Sequence, residues 1–306
     1  MRKIIVQRFS AAVVVMIVVL TIVFVLSHML TDPTLLLIPE DAKPDEIAAL
    51  RHAYGVDRPV YEQYFTYVKH IASGDLGMSA RRAGYSVTDI LKPALINSAK
   101  LAVWAWLMAI SLGIPLGIVS AIYRGTWIDT AARLVAVTGQ AIPGWFMGIV
   151  CIVLFASVWN VLPAAGMGSP SHYILPVIVL GHGAFAGLTR LTRAAMLDVL
   201  DSEFVKMARA KGMSWQSVIW KHALRNALLP AITFGGLYFA GLLTGAILIE
   251  NIFAWPGMGR ALQAAIAQRD YPVIQGGVML AASLIVVFNF LTDVAYTIAD
   301  PRIRYN

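Results

Sequence analysis

The chain has 306 residues, 58% of them hydrophobic and only 13% charged, with a formal net charge of +7. This is the balance of a polytopic helical membrane protein, because apolar runs of about 20 residues cross a bilayer as helices that satisfy their own backbone groups. A single cysteine, Cys151, excludes an intramolecular disulfide and a cysteine-cluster metal site. The positions of the basic residues, taken up below, exclude nucleic acid as the reason for the positive charge.

In chain order, six apolar runs predict spans at about 9–30, 97–122, 131–159, 173–196, 228–249 and 273–299. The first is too long for a signal-peptide core, and no A-x-A-like cleavage site follows it, so it is read as an uncleaved span. The polar region 31–96 holds seven Lys or Arg and nine Asp or Glu, which makes it nearly neutral. Within it, 45–54 and Val60–Ala72 have helical spacing of apolar residues, separated by the turn-forming run Gly55-Val56-Asp57-Arg58-Pro59. Gly113, Pro115 and Gly117 in the second span, and Gly139, Pro143, Gly144 and Gly148 in the third, predict close helix contacts and local kinks. Cys151 is expected to act as a small buried hydrophobe.

The charges orient these spans. Arg2, Lys3 and Arg8 precede the first span, Arg124 and Arg133 bracket the loop after the second, and Arg190 and Arg193 belong with the loop after the fourth. Arg302 and Arg304 lie in the tail, while the opposite loop 160–172 has no Lys or Arg. The positive-inside rule then places both termini in the cytoplasm, with Arg260 and Arg269 as exceptions on the outer side. Region 31–96 is extracytoplasmic in this reading, since long loops are largely exempt from the rule.

One segment stands apart. Residues 203–230, EFVKMARAKGMSWQSVIWKHALRNALLP, carry Lys206, Arg209, Lys211, Lys221 and Arg225 against one carboxylate, Glu203. The pattern predicts a short helix ending at Gly212, then a second one capped by Ser214 and running from Trp215 to about Arg225, with Pro230 opening the next span. A basic helix–turn–helix between two spans suits a docking surface for a cytoplasmic partner. A solvated loop touching lipid headgroups is the competing reading.

The same residues carry a resemblance. ARAKG at 208–212, followed by KHALRNALLP at 221–230, resembles the cytoplasmic coupling loop of ABC importer permeases, and more narrowly their peptide and nickel subfamily. GVDRPVYEQY at 55–64, GDLGMS at 74–79, HYILP at 172–176, RLTRAAMLDVL at 190–200, ENIFAWPGMGR at 250–260, RDYPVIQ at 269–275 and DPRIRYN at 300–306 agree, in order along the chain. The match is to the B-type permease, the one with a long first outer loop. The general coupling motif begins Glu-Ala-Ala, whereas Lys206, Met207 and Ala208 stand here, and Arg225 occupies the closing proline position.

The resemblance implies an all-α, six-span type I importer permease of the bacterial inner membrane. Its organisation would be a stub and first helix at 1–30, an outer region at 31–96, a five-helix core at 97–300 containing the coupling loop 197–228, and a tail at 301–306. It implies a heterodimer with a C-type permease, two ATP-binding subunits and an extracytoplasmic solute-binding protein. Dipeptides or oligopeptides would be the cargo, with a nickel chelate or glutathione as alternatives. ATP and Mg would be used by the partners. This chain itself has no G-x-x-x-x-G-K-[ST] phosphate loop, so no ATP site of that kind, and it is expected to be non-catalytic with no bound cofactor or metal. A membrane-embedded enzyme would need H-E-x-x-H or a nucleophile with its base, and Ser111, Ser157 and Ser283 lack such a context.

The expected coupling residues are Glu203, Phe204, Ala208, Arg209, Ala210, Lys211, Gly212, His222, Arg225 and Asn226. Glu250, Phe253, Trp255, Pro256, Gly257 and Gly259 form a candidate outer gate or scoop, with interfacial anchoring by the two aromatics as the alternative. His182, Asn289 and Asp293 are candidate path residues, because polar groups at membrane depth usually face a cavity or a partner. Lys100 is expected to snorkel.

Overall fold

The computed structural model describes residues 2–30, 43–45, 48, 52 and 57–299, so most of the expected helix at 45–54 and the tail 301–306 lie outside the described residues. The described chain is helical, with one isolated bridge between Met78 and Ser86. The elements are α1 (Arg2–Leu30), α2 (Val60–Ala72), α3 (Val87–Ile122), α4 (Trp127–Ala141) and α5 (Gly144–Cys151), which runs on as π1 (Ile152–Val158). There follow α6 (Ser171–Leu200), α7 (Glu203–Ala210), α8 (Trp215–Ser217), π2 (Val218–Ala223), α9 (Leu224–Ile252), α10 (Met258–Gln268) and α11 (Tyr271–Ala299).

Among the described residues, α1, α3, α6 and α11 are long and apolar enough to cross a membrane, and the bent pair α4 and α5–π1 makes a fifth if its two halves form one broken span and not a re-entrant loop. The expected span at 228–249 lies inside the 29-residue α9. The expected third span, 131–159, is not one straight helix. It breaks after Ala141, and its two halves meet at 104°. Pro143 causes the break: it has no N–H to continue the ladder, and it holds Ile142 in extended backbone at ψ 121°. Val14, Ile17 and Val18 of α1, Trp104 and Leu112 of α3, and Leu134 and Val137 of α4 are exposed. Apolar exposure on this scale belongs to a surface that meets lipid or another chain.

The chain forms two compact units. One holds Ser98–Pro256 and the chain from Phe288; the other holds Arg2–Asn97 and Gly257–Val287. In the first, α6 is the hub, packed by α4, α5 and α9. Its core contains Leu101, Val179, Leu242, Ile249, Phe253 and Trp255, with Cys151 buried beside them. Glycines set its closeness: a Cβ at Gly117 would lie 2.6 Å from the Thr189 carbonyl, and one at Gly181 would lie 2.7 Å from that of Ala105. Without a side chain the backbones of α3 and α6 can approach, as membrane helices often do.

In the second unit α1 packs on α2, where Phe24 meets Tyr64 edge-on at 5.2 Å between centroids. Val87, Leu91, Ala265 and Val273 make its other core. Asp270 accepts hydrogen bonds from the Ser79 hydroxyl and, at 3.1 Å, from the Ala80 N–H. The loop before α3 is thereby fastened to the turn between α10 and α11.

Candidate functional site

The basic segment is built as two short helices around a glycine turn. In α7 Val205 is buried, while Phe204 and Met207, three residues apart, are exposed on one face together with Glu203 and Lys206. The helix ends in a Schellman motif: Gly212 N–H donates to the Arg209 carbonyl at 2.9 Å, and Met213 N–H to that of Ala208 at 3.3 Å. This closure needs a left-handed residue, and Gly212 supplies it at φ +79°. The Ser214 hydroxyl then accepts from the Ser217 N–H at 3.4 Å, capping α8 as expected. The Arg209 guanidinium lies 4.9 Å from the centre of the Trp215 ring, a cation–π contact that bridges the turn.

Beyond Ser217 the expectation needs correcting. The second helix does not stop near Arg225. It passes through π2 and continues as α9, with Pro230 inside the helix and not at its start. Ile219 and Ala223 are buried against Ile118, Ala121 and Met196, and Val218 is itself fully buried, so this stretch is anchored in the first unit's core, while Trp220 is 60% exposed. Ala210, Lys211, Lys221, Arg225 and Asn226 are exposed, Ala208 and His222 half-buried. Glu203 pairs with Lys206 at 2.8 Å and pushes its ammonium pKa up. Two faces result: an apolar root, and an exposed array of Phe204, Met207, Trp215 and Trp220 among five cations.

Segment 250–260 folds as a tight and largely buried turn between α9 and α10. Glu250 still belongs to α9, is fully buried, and accepts from the Ser98 hydroxyl at 2.5 Å. Ala254 takes φ +46° in a tight turn closed by a 2.7 Å bond from the Trp255 N–H to the Glu250 carbonyl. Phe253 and Trp255 are 1% and 0% exposed, so they are core residues and not membrane-interface anchors. Trp255 packs edge-on against Tyr173 at 4.6 Å, and the Phe253 carbonyl accepts from Gly166 N–H at 2.8 Å. Pro256 is exposed; Gly257 and Gly259 are buried at the start of α10.

With this geometry in view, comparison with known proteins is decisive. Residues 113–305 match the family of binding-protein-dependent transport system inner membrane components, and residues 1–89 match the N-terminal domain that accompanies it. The chain belongs to this family. It is 36% identical, over 98% of both chains, to the glutathione transport system permease protein GsiC of Escherichia coli O6:H1 (strain CFT073). It is likewise 36% identical to the dipeptide transport system permease protein DppB of Escherichia coli (strain K12), over 100% of this chain and 99% of that one. A chain of the MetNI methionine ABC transporter superposes with a TM-score of 0.57 at 16% identity, covering 69% of this chain and 96% of that one, which shows a shared fold. The protein is thus an inner-membrane permease subunit of an ABC importer, with the type I importer fold.

The permease's other candidate positions divide. His182 lines a cavity of about 510 Å3 with Gly144, Trp145, Phe234 and Tyr238. Its ring is also held, Nδ1 lying 2.6 Å from the Val179 carbonyl and Nε2 3.2 Å from that of Ile142, the carbonyl left without a helical partner at the Pro143 break. His182 is thus a hydrogen-bonded residue on the cavity wall. Asn289 is exposed on α11, and the side chain of Asp293 lies outside the described residues. Lys100 is exposed.

One polar site among the described residues was not among the expected ones. Asp129, 1% exposed, receives Arg193 through two bonds, Nε to Oδ1 at 2.7 Å and Nη2 to Oδ2 at 2.9 Å. It also accepts from the Ser120 hydroxyl at 2.7 Å and the Gly125 N–H at 3.1 Å, with Arg133 Nε 3.6 Å away. Arg193 reads in the sequence as one more inner-side charge. The available signal was Asp129, a carboxylate standing between Arg124 and Arg133 at a helix start.

Proposed function

We propose that this permease carries short peptides, dipeptides or a tripeptide such as glutathione, across the inner membrane by alternating access. It pairs with a second, related permease and works with two ATP-binding subunits and an extracytoplasmic binding protein. ATP and Mg2+ are bound by the ATP-binding subunits, and this chain contributes no catalytic group. The observation that carries the coupling role is the exposed aromatic and basic array of 203–226 mounted on a buried root. Such a surface suits a cleft in an ATP-binding subunit. If its contacts differ between the two states of the ATPases, ATP binding shifts the permease from one orientation to the other. Residues 250–260, with a buried carboxylate and packed aromatics, form a closure element on the outer side, and His182 borders the path. The similarity to dipeptide and glutathione permeases supports the peptide class, at equal identity for the two.

The test is to purify the assembled complex with its binding protein and identify the bound cargo by native mass spectrometry, then measure ATPase stimulation by the loaded binding protein. Short peptides are expected as cargo, and Lys211→Glu is expected to abolish stimulation while leaving membrane insertion intact. A metal chelate as the cargo would overturn the peptide assignment. Unchanged stimulation in Lys211→Glu would overturn the coupling assignment.

A further inference from the structure

The Asp129 site lies where three elements meet. Ser120 is in the last turn of α3, Gly125 in the connection that follows, Asp129 in the first turn of α4, and Arg193 on α6. From Arg193, α6 runs about 10 Å further, at 1.5 Å per residue, to its end at Leu200. The turn at Asp201–Ser202 then leads directly into α7, the first half of the docking segment. The second half is rooted in the same neighbourhood, since Ile219 and Ala223 of π2 pack with Ile118 and Ala121 of α3 and with Met196 of α6. A second link lies outside: Arg124, in the α3–α4 connection, reaches Asp201 at 3.4 Å, although both are exposed and the pair is correspondingly weak.

We infer that Asp129 and Arg193 are positioning residues for energy coupling: they lock the inner ends of α3, α4 and α6 into one body, so that displacement of the docking segment moves all three helices together. The chemistry suits a lock more than a stabilising contact. A bidentate guanidinium–carboxylate pair fixes distance and angle at once. Burying the charges is costly, so such a pair is weak evidence for stability alone. The remaining lone pairs of the carboxylate are met by Ser120 and Gly125, so the site has one arrangement. Gly117 makes the lock possible, since any side chain there would push Thr189 and Thr192 of α6 away from α3. Without the pair, α6 can slide on α3, and movement of the docking segment is dissipated as local shear and not as reorientation of the bundle.

This inference rests on the coupling reading of 203–226, and its test separates the two. The whole complex is reconstituted in proteoliposomes with its binding protein, and two quantities are measured: cross-linking of Gln216→Cys, an exposed position beside the docking residues, to the ATP-binding subunit, and ATP hydrolysed per substrate moved. Asp129→Asn and Arg193→Lys are expected to keep the cross-link yet raise ATP used per substrate at least about twofold, the lower end of what altered coupling networks produce. Ser120→Ala, which removes one bond and no charge, is expected to give a smaller rise, and it decides the matter if the other variants fail to assemble. An unchanged ratio overturns the lock, as does a parallel fall of transport and ATPase activity at constant ratio. Absence of the cross-link in the otherwise unaltered complex would instead sink the docking reading itself.

Discussion

Gly212 has φ +79°, and a Cβ added there would meet no atom within 4 Å, so its requirement is conformational and not steric. Gly117 is the reverse case: its backbone is ordinary, but a Cβ would lie 2.6 Å from a carbonyl oxygen. For Gly212 this separates two substitutions of similar bulk. Gly212→Val places a β-branched residue in the left-handed region at a cost of about 1–2 kcal/mol, which opens the Schellman closure and frees α7 from Trp215. Gly212→Asn retains much of the turn, because asparagine tolerates that region. Binding-protein-stimulated ATPase activity is expected to fall in the order Gly, Asn, Val; equal activity for Asn and Val would show that the turn does not set the surface. Gly212 was legible because it sits between a periodic stretch and a capping serine. Asp129 was not, since its partner lies 64 residues away on α6 and only the packed fold brings the two charges together.

At the scale of elements, the docking segment's two faces should answer to mutation in different ways. Trp220 is 60% exposed and Val218 fully buried, two residues apart in the same stretch. Trp220→Ala is expected to weaken association with the ATP-binding subunits by about 1–2 kcal/mol, roughly 5- to 30-fold, with little effect on the thermal stability of the permease. Val218→Ala removes methyl groups from a fully buried side chain and is expected to lower thermal stability instead. Binding titration in detergent beside a melting curve checks both; loss of stability with Trp220→Ala would move that residue from the docking face into the fold. Apolar periodicity located most of these elements, including α2 at Val60–Ala72. It misjudged two prolines. Pro143 turns a predicted continuous span through 104°, whereas Pro230, taken as a helix start, is absorbed within α9. Local chemistry is the same at both sites. What differs is the surroundings: the Ile142 carbonyl is met by His182 at the break, while the helix entering Pro230 is already fixed by buried Val218, Ile219 and Ala223.

For the molecule as a whole, the hydrogen bonds constrain which connections share a side of the membrane. Asp270 holds Ser79 and the Ala80 N–H, so the loop before α3 and the turn between α10 and α11 lie together. Arg124 reaches Asp201, so the α3–α4 connection lies with the start of the docking segment. Along the chain the two groups are joined by α3, which is long and apolar enough to cross a membrane. If basic residues hold the second group inside, the first is outside, and Arg260 and Arg269 accompany it despite their charge. Site-directed labelling tests this. With Cys151→Ser removing the native thiol, a membrane-impermeant maleimide added to intact spheroplasts should label Asp45→Cys and spare Trp215→Cys. Inside-out vesicles should give the reverse, because both positions are exposed and only the side differs. Labelling of both from one side would overturn the topology, and with it the placement of residues 203–226 where an ATP-binding subunit can reach them.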